Sequence, residues 1–480
     1  MTTILKDKLL IRNAQAVLTG LTGDKARSSA SDLRVAGGVI TEMGRGLVPH
    51  EDERVLEADG CVVYPGWVNT HHHLFQSLLK GVPAGIDLTL SPWLQAVPFA
   101  LRRGFDEKRL RLAARIGLVE LLRSGCTTVA DHHYLFQADR GSAGFDAAAV
   151  LFEEAQSLGL RFMLLRGGAT VTRKLEDSRK LHQPPETLDQ MLAAVEQVAT
   201  RYHQRGPLAR TRVAMAPTSV HVSLPREQLR EVARAARAMN LPLHSHMSES
   251  VAYQEYCREM HGCLPIEYLA EHEWLGPDVW LAHLCHLTES EMRLLGDSGT
   301  GIAHCPQSNA RLADGIAPAP ALARRGVPVS IGVDGAASNE AADMLSELHF
   351  AWLVHRAQAG SLARPRPEGE GETGADVVTV EQVVHWASAG GAGVLGFEGV
   401  GALCVGQAAD LAVWSLDDPR YFGLHDPAIG PIVAGGRPRL RWLLCGGEVV
   451  AQEDAVPGLD LAQLAAHARE EVRALIRESA

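Results

Sequence analysis

Apolar and polar residues alternate over short runs at both ends of the chain and over longer, helix-like periods in between. Near the start, Leu9-Leu10-Ile11-Arg12-Asn13-Ala14 and Asp32-Leu33-Arg34-Val35-Ala36-Gly37-Gly38-Val39-Ile40 are punctuated by Gly and Asp, which is hairpin chemistry. The same texture returns in Ala409-Asp410-Leu411-Ala412-Val413-Trp414 and again over 440–450. In the middle, short apolar runs alternate with helical periods, as in the stretch 109–122 followed by Thr127-Thr128-Val129-Ala130-Asp131. Repeated strand-then-helix units predict a parallel sheet, and a run this long predicts a closed (β/α)8 barrel in an α/β fold. Candidate strands are 61–69, 127–131, 161–166, 212–216, 241–246, 279–283, 300–304 and 328–334. The two chain ends, 1–63 plus 402–455, are expected to pair into one small β-sandwich domain. The barrel then spans 64–401, and 456–480 forms a helix on the outside.

Composition narrows the partners more than the fold. A chain of 480 residues, 46% apolar and 21% charged, is large enough for one big domain and a smaller one. Its net charge of −11, with no basic block interleaved with aromatics, argues against a nucleic-acid partner. No leader or membrane span is expected, which favours a cytoplasmic protein. The eight cysteines (Cys61, Cys126, Cys257, Cys263, Cys285, Cys305, Cys404, Cys445) stand singly and read as reduced thiols. The Gly/Glu/Pro-rich stretch 364–374 reads as a solvated loop.

Three histidines, His71, His72 and His73, close the apolar run that begins at Cys61. On a strand, residues two apart share a face, so His71 and His73 can aim at one ion while His72 faces away. Taken alone, the triplet is equally a polar turn after a buried strand. Other predicted strand ends carry matching groups: His244-Ser245-His246-Met247-Ser248-Glu249, Ala282-His283-Leu284-Cys285-His286, Ala303-His304-Cys305-Pro306 and Gly332-Val333-Asp334-Gly335. A hydrogen-bonded structural role suits His244, His286 and His304 singly. It does not account for five tips together, and in a barrel this end carries the chemistry.

With Pro65-Gly66-Trp67-Val68-Asn69-Thr70-His71-His72-His73-Leu74, these runs resemble the amidohydrolase superfamily over nearly the whole chain. The His-x-x-Glu of residues 246–249 and the run Asp334-Gly335-Ala336-Ala337-Ser338-Asn339 resemble its cytosine/guanine deaminase and chlorohydrolase branch. The resemblance implies one zinc ion per subunit, with iron as the other option, held by His71, His73, His246 and Asp334. The carboxylated lysine that bridges two ions in other members has no counterpart, because no lysine follows Lys180. It further implies that a water activated at the ion attacks an amidine carbon. Asp334 takes its proton, Glu249 shuttles protons to the ring and the leaving ammonia, and His283 hydrogen-bonds the reacting oxygen. A helix-capping carboxylate for Glu249 and a satisfied buried imidazole for His283 are the plain alternatives.

Candidate substrate contacts are Gln76 after the histidine triplet, Trp93 for stacking, Arg166 for a ring carbonyl or carboxylate, and Thr218, Ser219 and His221 after strand four. His132, His133 and Tyr134 follow strand two as pocket lining without a second metal. Residues 127–134 and 69–78 are most similar to enzymes acting on oxidised guanine or aminopterins. The loop 81–94 departs from the 8-oxoguanine pattern, which favours the 2-amino group of an oxidised pterin, isoxanthopterin or pterin-6-carboxylate. An 8-oxoguanine or guanine deaminase, a triazine chloro- or aminohydrolase, and a non-catalytic scaffold relative are the alternatives. The expected partner is a small heterocycle, with no nucleic acid and no membrane, in a homo-oligomer.

Overall fold

The computed structural model describes residues 8–135, 145–171, 186–362 and 377–479. The glycine-rich stretch 364–374 and the first seven residues lie outside them. One nine-stranded sheet occupies the middle of the chain, and every pairing within it is parallel. In chain order its strands are β1 (Trp67–His73), β2 (Cys126–His133), β3 (Arg161–Arg166), β4 (Thr211–Met215), β5 (Leu243–Met247), β6 (Val279–His283), β7 (Gly301–His304), β8 (Val329–Ile331) and β9 (Asp334–Gly335). Strands β1 to β8 lie side by side in sequence order, and β9 returns to the free edge of β1, pairing Asp334 with His72 and Gly335 with His73. Runs such as Phe162-Met163-Leu164-Leu165 are fully buried, as expected of parallel strands covered on both faces. Helices between them start on side-chain caps: Asp106 for Glu107–Arg123, Asp146 for Ala147–Ser157, Thr187 for Leu188–Tyr202 and Thr288 for Glu289–Ser298.

The chain ends build two further sheets. Val39–Gly44, Asp32–Ala36, Lys8–Arg12 and Arg54–Glu57 form one of four strands. Glu448–Gln452, Leu440–Cys445, Leu411–Ser415, Cys61–Pro65, Ala16–Leu18 and Arg27–Ser28 form one of six. A single apolar cluster joins them, with Ile11, Leu33 and Val35 packed alongside Val63, Val413 and Leu444. All eight cysteines are free thiols. Among the described residues, no helix is long and apolar enough to cross a membrane.

The single strand expected over 61–69 is two strands. Cys61–Pro65 pairs antiparallel with Leu411–Ser415, and the chain then breaks at Gly66 to enter the parallel sheet as β1. A side chain at Gly66 would put its Cβ 2.4 Å from Thr127 Oγ1, so the strand changes sheets where only glycine fits against β2. The chain thus passes from the six-stranded sheet to the parallel one at Gly66. The strand expected over 328–334 is likewise two short pieces, β8 and β9. The carboxyl-terminal helix Leu461–Ser479 is tied to Glu107–Arg123 through Arg109, whose guanidinium donates to Glu471 at 2.8 Å and to Glu478 at 2.6 Å.

Arg161, at the start of β3, joins the parallel sheet to the six-stranded one. Its Nε donates to Asp410 Oδ2 at 2.7 Å and its Nη1 to the Leu208 carbonyl at 2.8 Å, while Asp410 Oδ1 accepts from the Gly446 N–H at 2.5 Å. Both charged side chains are buried. Removing one partner strands the other as an uncompensated charge, which costs about 3–5 kcal/mol. Asp410→Ala is therefore expected to destabilise the protein by that amount in urea unfolding, with Asp410→Asn losing less.

Candidate metal centre and active site

The tips of β1, β5, β6 and β9 bring His71, His73, His246, His283 and Asp334 together. Two overlapping sets of four, His71/His246/His283/Asp334 and His71/His73/His132/His246, each hold their ligand atoms within 4.8 Å of one another. Hydrogen bonds behind the rings decide which nitrogen faces the centre. His73 Nδ1 donates to the His132 carbonyl at 2.7 Å, and His246 Nδ1 donates to the Thr218 carbonyl. His244 Nδ1 donates to the Trp280 carbonyl at 3.0 Å, so its Nε2 accepts from His71 Nδ1 at 2.9 Å. Each of the three Nε2 atoms therefore presents a lone pair inward.

Those lone pairs are crowded. His73 Nε2 lies 3.1 Å from His246 Nε2, and Asp334 Oδ1 lies 3.3 Å from His71 Nε2 and 3.2 Å from His73 Nε2. Burial holds the His71 and His246 imidazoles well below the usual histidine value, so they are neutral. Neutral lone pairs facing each other and a carboxylate repel unless a cation lies among them. Tetrahedral zinc with bonds of about 2.0–2.1 Å places its ligand atoms about 3.3–3.4 Å apart, which is the spacing found here. The donor set fits such an ion.

Asp334 is held from behind by two hydroxyls: Ser308 Oγ donates to Oδ2 at 2.6 Å and Ser338 Oγ at 3.0 Å. His72 faces the other way, its Nδ1 on the Asp334 carbonyl. Ser248, His283, Leu284 and Asp334 all adopt left-handed backbone (φ 49°, 76°, 52° and 58°). Such turns cost non-glycine residues energy and concentrate at functional sites. Beside the cluster, His283 Nδ1 donates to Asn309 Oδ1 at 2.9 Å, while its Nε2 lies 3.4 Å from Glu249 Oε1. The Tyr253 hydroxyl donates to Glu249 Oε2 at 3.4 Å, and Glu249 is buried.

The remaining sequence candidates are placed unevenly. Thr218 supplies the carbonyl that orients His246, Ser219 Oγ is 3.5 Å from Tyr253 Oη, and the His221 ring lies 4.3 Å from that tyrosine's, tilted at 42°. Gln76, in the turn Leu74–Leu78, is buried against Gly335, with its Oε1 lacking a hydrogen-bond partner among the described residues. His132 lies among the metal-facing rings, 4.8 Å from the His246 ring, and Tyr134 lies 5.1 Å from the His73 ring. His133 is fully buried at the end of β2. Two candidates are engaged elsewhere: Trp93 belongs to the large apolar cluster, and the Arg166 guanidinium donates to both carboxyl oxygens of Glu186, at 2.6 and 2.5 Å. His304 pairs with His355, Nε2 to Nε2 at 3.0 Å. The sequence pattern does not single out Ser308, Asn309 and Ser338 as partners of the site, although all three follow closely on β7 and β9; Tyr253, one helical turn beyond Glu249, carries no signal beyond that spacing.

The amidohydrolase family model matches residues 62–450. The chain is 54% identical over 473 residues to isoxanthopterin deaminase from an unknown prokaryotic organism, covering 98% of this chain and 97% of that protein. It is 38% identical over 474 residues to 8-oxoguanine deaminase of Pseudomonas aeruginosa, covering 97% and 98%. Among solved structures, an amidohydrolase from a Sargasso Sea environmental sample matches with a TM-score of 0.83 at 48% identity over 98% of this chain and 99% of that one. Atrazine chlorohydrolase from Arthrobacter aurescens TC1, complexed with zinc, matches with a TM-score of 0.86 at 27% identity over 97% and 100%.

A Cβ at Gly335 would meet Gln76 Oε1 at 1.8 Å. Gly335→Ala is therefore expected to expel the buried Gln76 carboxamide and to cost about 1–3 kcal/mol by overpacking. Urea unfolding and a structure of the variant check both parts.

Proposed function

We propose, from the premise that this chain belongs to the amidohydrolase family and is a hydrolytic deaminase, that it releases ammonia from the 2-amino group of an oxidised pterin, isoxanthopterin first. The observation that carries the substrate is the 54% identity to isoxanthopterin deaminase along nearly the whole chain. 8-Oxoguanine is the second reading, favoured by the 38% identity to its deaminase. Both rings share an aminopyrimidinone half, so one set of catalytic groups serves either.

His71, His73, His246 and Asp334 are the proposed ligands of a single zinc ion, supported by their inward lone pairs and spacing. When bound there, a divalent ion supplies Lewis acidity that brings the pKa of a water down towards ~7. Asp334, whose Oδ2 accepts from the Ser308 and Ser338 hydroxyls, receives a proton from the attacking water. His283, with its Nδ1 hydrogen committed to Asn309, offers its Nε2 lone pair to the same water and so aims it at the amidine carbon. Glu249, reached by Tyr253 and adjacent to His283, gives a proton to the neighbouring ring nitrogen as the water oxygen adds; the proton held by Asp334 and the one left on that oxygen then supply the departing ammonia and restore Glu249 as the carbon–oxygen double bond forms. Gln76 is proposed to read the amide edge of the ring, with Thr218, Ser219 and His221 lining its far side. Arg166 and Trp93, first considered as direct contacts, are proposed to shape the pocket through Glu186 and the apolar cluster instead. The return of β9 to β1 supports reading the parallel sheet as a closed (β/α)8 barrel, and the shared apolar cluster supports reading the two end sheets as a sandwich.

An ammonia-release assay over isoxanthopterin, pterin, 8-oxoguanine, guanine and aminotriazines tests the substrate. Turnover is expected to be fastest on isoxanthopterin, and fastest turnover on a triazine would overturn the reading. The purified protein is expected to carry about one zinc or iron per subunit by elemental analysis. Glu249→Gln should keep that metal while turnover falls by roughly 10²- to 10⁴-fold, whereas Asp334→Ala should lose the metal.

A further inference from the structure

Asp314 is a buried carboxyl that the reaction above does not use. It follows the helix Pro306–Arg311, which supplies Ser308 and Asn309 to the site. Its N–H donates to the Asn309 carbonyl at 2.8 Å, and its carbonyl accepts from His286 Nε2 at 2.7 Å. Asn309 is also the residue that holds His283, and His286 ties Asp314 to the loop after β6. It is 5% exposed, and its Oδ2 is buried with no hydrogen-bond partner among the described residues. An unpartnered buried polar atom costs about 1–3 kcal/mol, and an enzyme accepts that cost where a ligand supplies the missing bond.

We propose that Asp314 is a substrate-reading residue whose carboxyl hydrogen-bonds the lactam edge, an adjacent N–H and C=O, of the substrate's oxidised ring. The proposal rests on the oxidised pterin or purine reading of the site. Isoxanthopterin and 8-oxoguanine carry such an edge on the ring fused to the aminopyrimidinone, whereas pterin and guanine do not. One carboxyl oxygen accepts the lactam N–H, and a protonated carboxyl also donates to the C=O, giving two parallel bonds. Burial, reinforced by the charge of Glu249, pushes the Asp314 carboxyl up to about 9, so the form with both a donor and an acceptor prevails at neutral pH. Asn309 accepts from the Asp314 N–H and from His283 Nδ1, so one residue ties the group to the imidazole at the reacting centre. Arg166, the sequence's candidate for a ring carbonyl, is occupied by Glu186, which leaves that recognition to another residue.

The test compares kcat/KM for isoxanthopterin against pterin, and for 8-oxoguanine against guanine, in the metal-loaded wild type, Asp314→Ala and Asp314→Asn. For a ring bound without turnover, its inhibition constant replaces kcat/KM. Asp314→Ala should lower the oxidised-to-unoxidised ratio by roughly 10-fold or more. Asp314→Asn, whose amide keeps a donor beside an acceptor, should retain most of it, a rescue that a purely structural role does not produce. Should the alanine variant fail to fold, Asp314→Ser reads the same ratio. Wild-type turnover with an unchanged ratio in the alanine or serine variant overturns the role of Asp314 alone. A wild type that turns over neither oxidised ring overturns the substrate reading and this proposal with it.

Discussion

Lone pairs repel, and the centre of this protein forces four of them together. Three imidazole nitrogens and one carboxylate oxygen, drawn from strands far apart in the chain, meet at separations of 3.1–3.3 Å. The rings have no freedom to turn away, because each outer nitrogen is already committed: His73 and His246 to carbonyls, His71 to His244, and His244 in turn to the Trp280 carbonyl. Outer hydrogen bonds of this kind select the tautomer and orient the donor. The arrangement is self-consistent only around a shared positive charge.

Much of the remaining architecture serves that crowding. Eight parallel strands lie in sequence order, so that residues at their carboxyl ends converge although they are hundreds of positions apart. Left-handed backbone at Ser248, His283 and Asp334 bends the chain sharply just where side chains must be delivered. The helix Pro306–Arg311 then serves two separate strands at once, bracing Asp334 through Ser308 and His283 through Asn309. A short helix thereby couples the carboxylate to the imidazole beside it.

What could be read from the residues was what repeats or clusters. Alternation at both ends announced paired strands, strand–helix periodicity announced a parallel sheet, and histidines recurring at predicted strand ends marked the convergence of His71, His73, His246 and Asp334. What could not be read depended on partners set by the folded chain. The break at Gly66 is invisible because the apolar run continues on both sides of it; only the proximity of Thr127 shows why the chain must turn there. Arg166 looked available at a strand end, but Glu186, twenty residues further on, occupies its guanidinium. Asp314 looked like any acidic loop residue until its burial and its unpartnered oxygen were visible. Tautomers, which decide where every lone pair points, follow from hydrogen bonds across strands and leave no mark in composition or spacing.

The passage of one continuous segment through Gly66 has a consequence for the order in which this molecule matures. Cys61–Pro65 is registered against Leu411–Ser415, and β1, immediately beyond, receives β9 on its free edge. Both partners are synthesised long after the histidines they secure. On a ribosome that releases the chain from its amino terminus, His71 and His73 emerge early yet stay without the carboxylate that faces them until residue 334 has been made. A nascent chain interrupted before residue 334 holds the first two imidazoles without Asp334, and one interrupted before residue 411 still lacks the strand on which Cys61–Pro65 is registered.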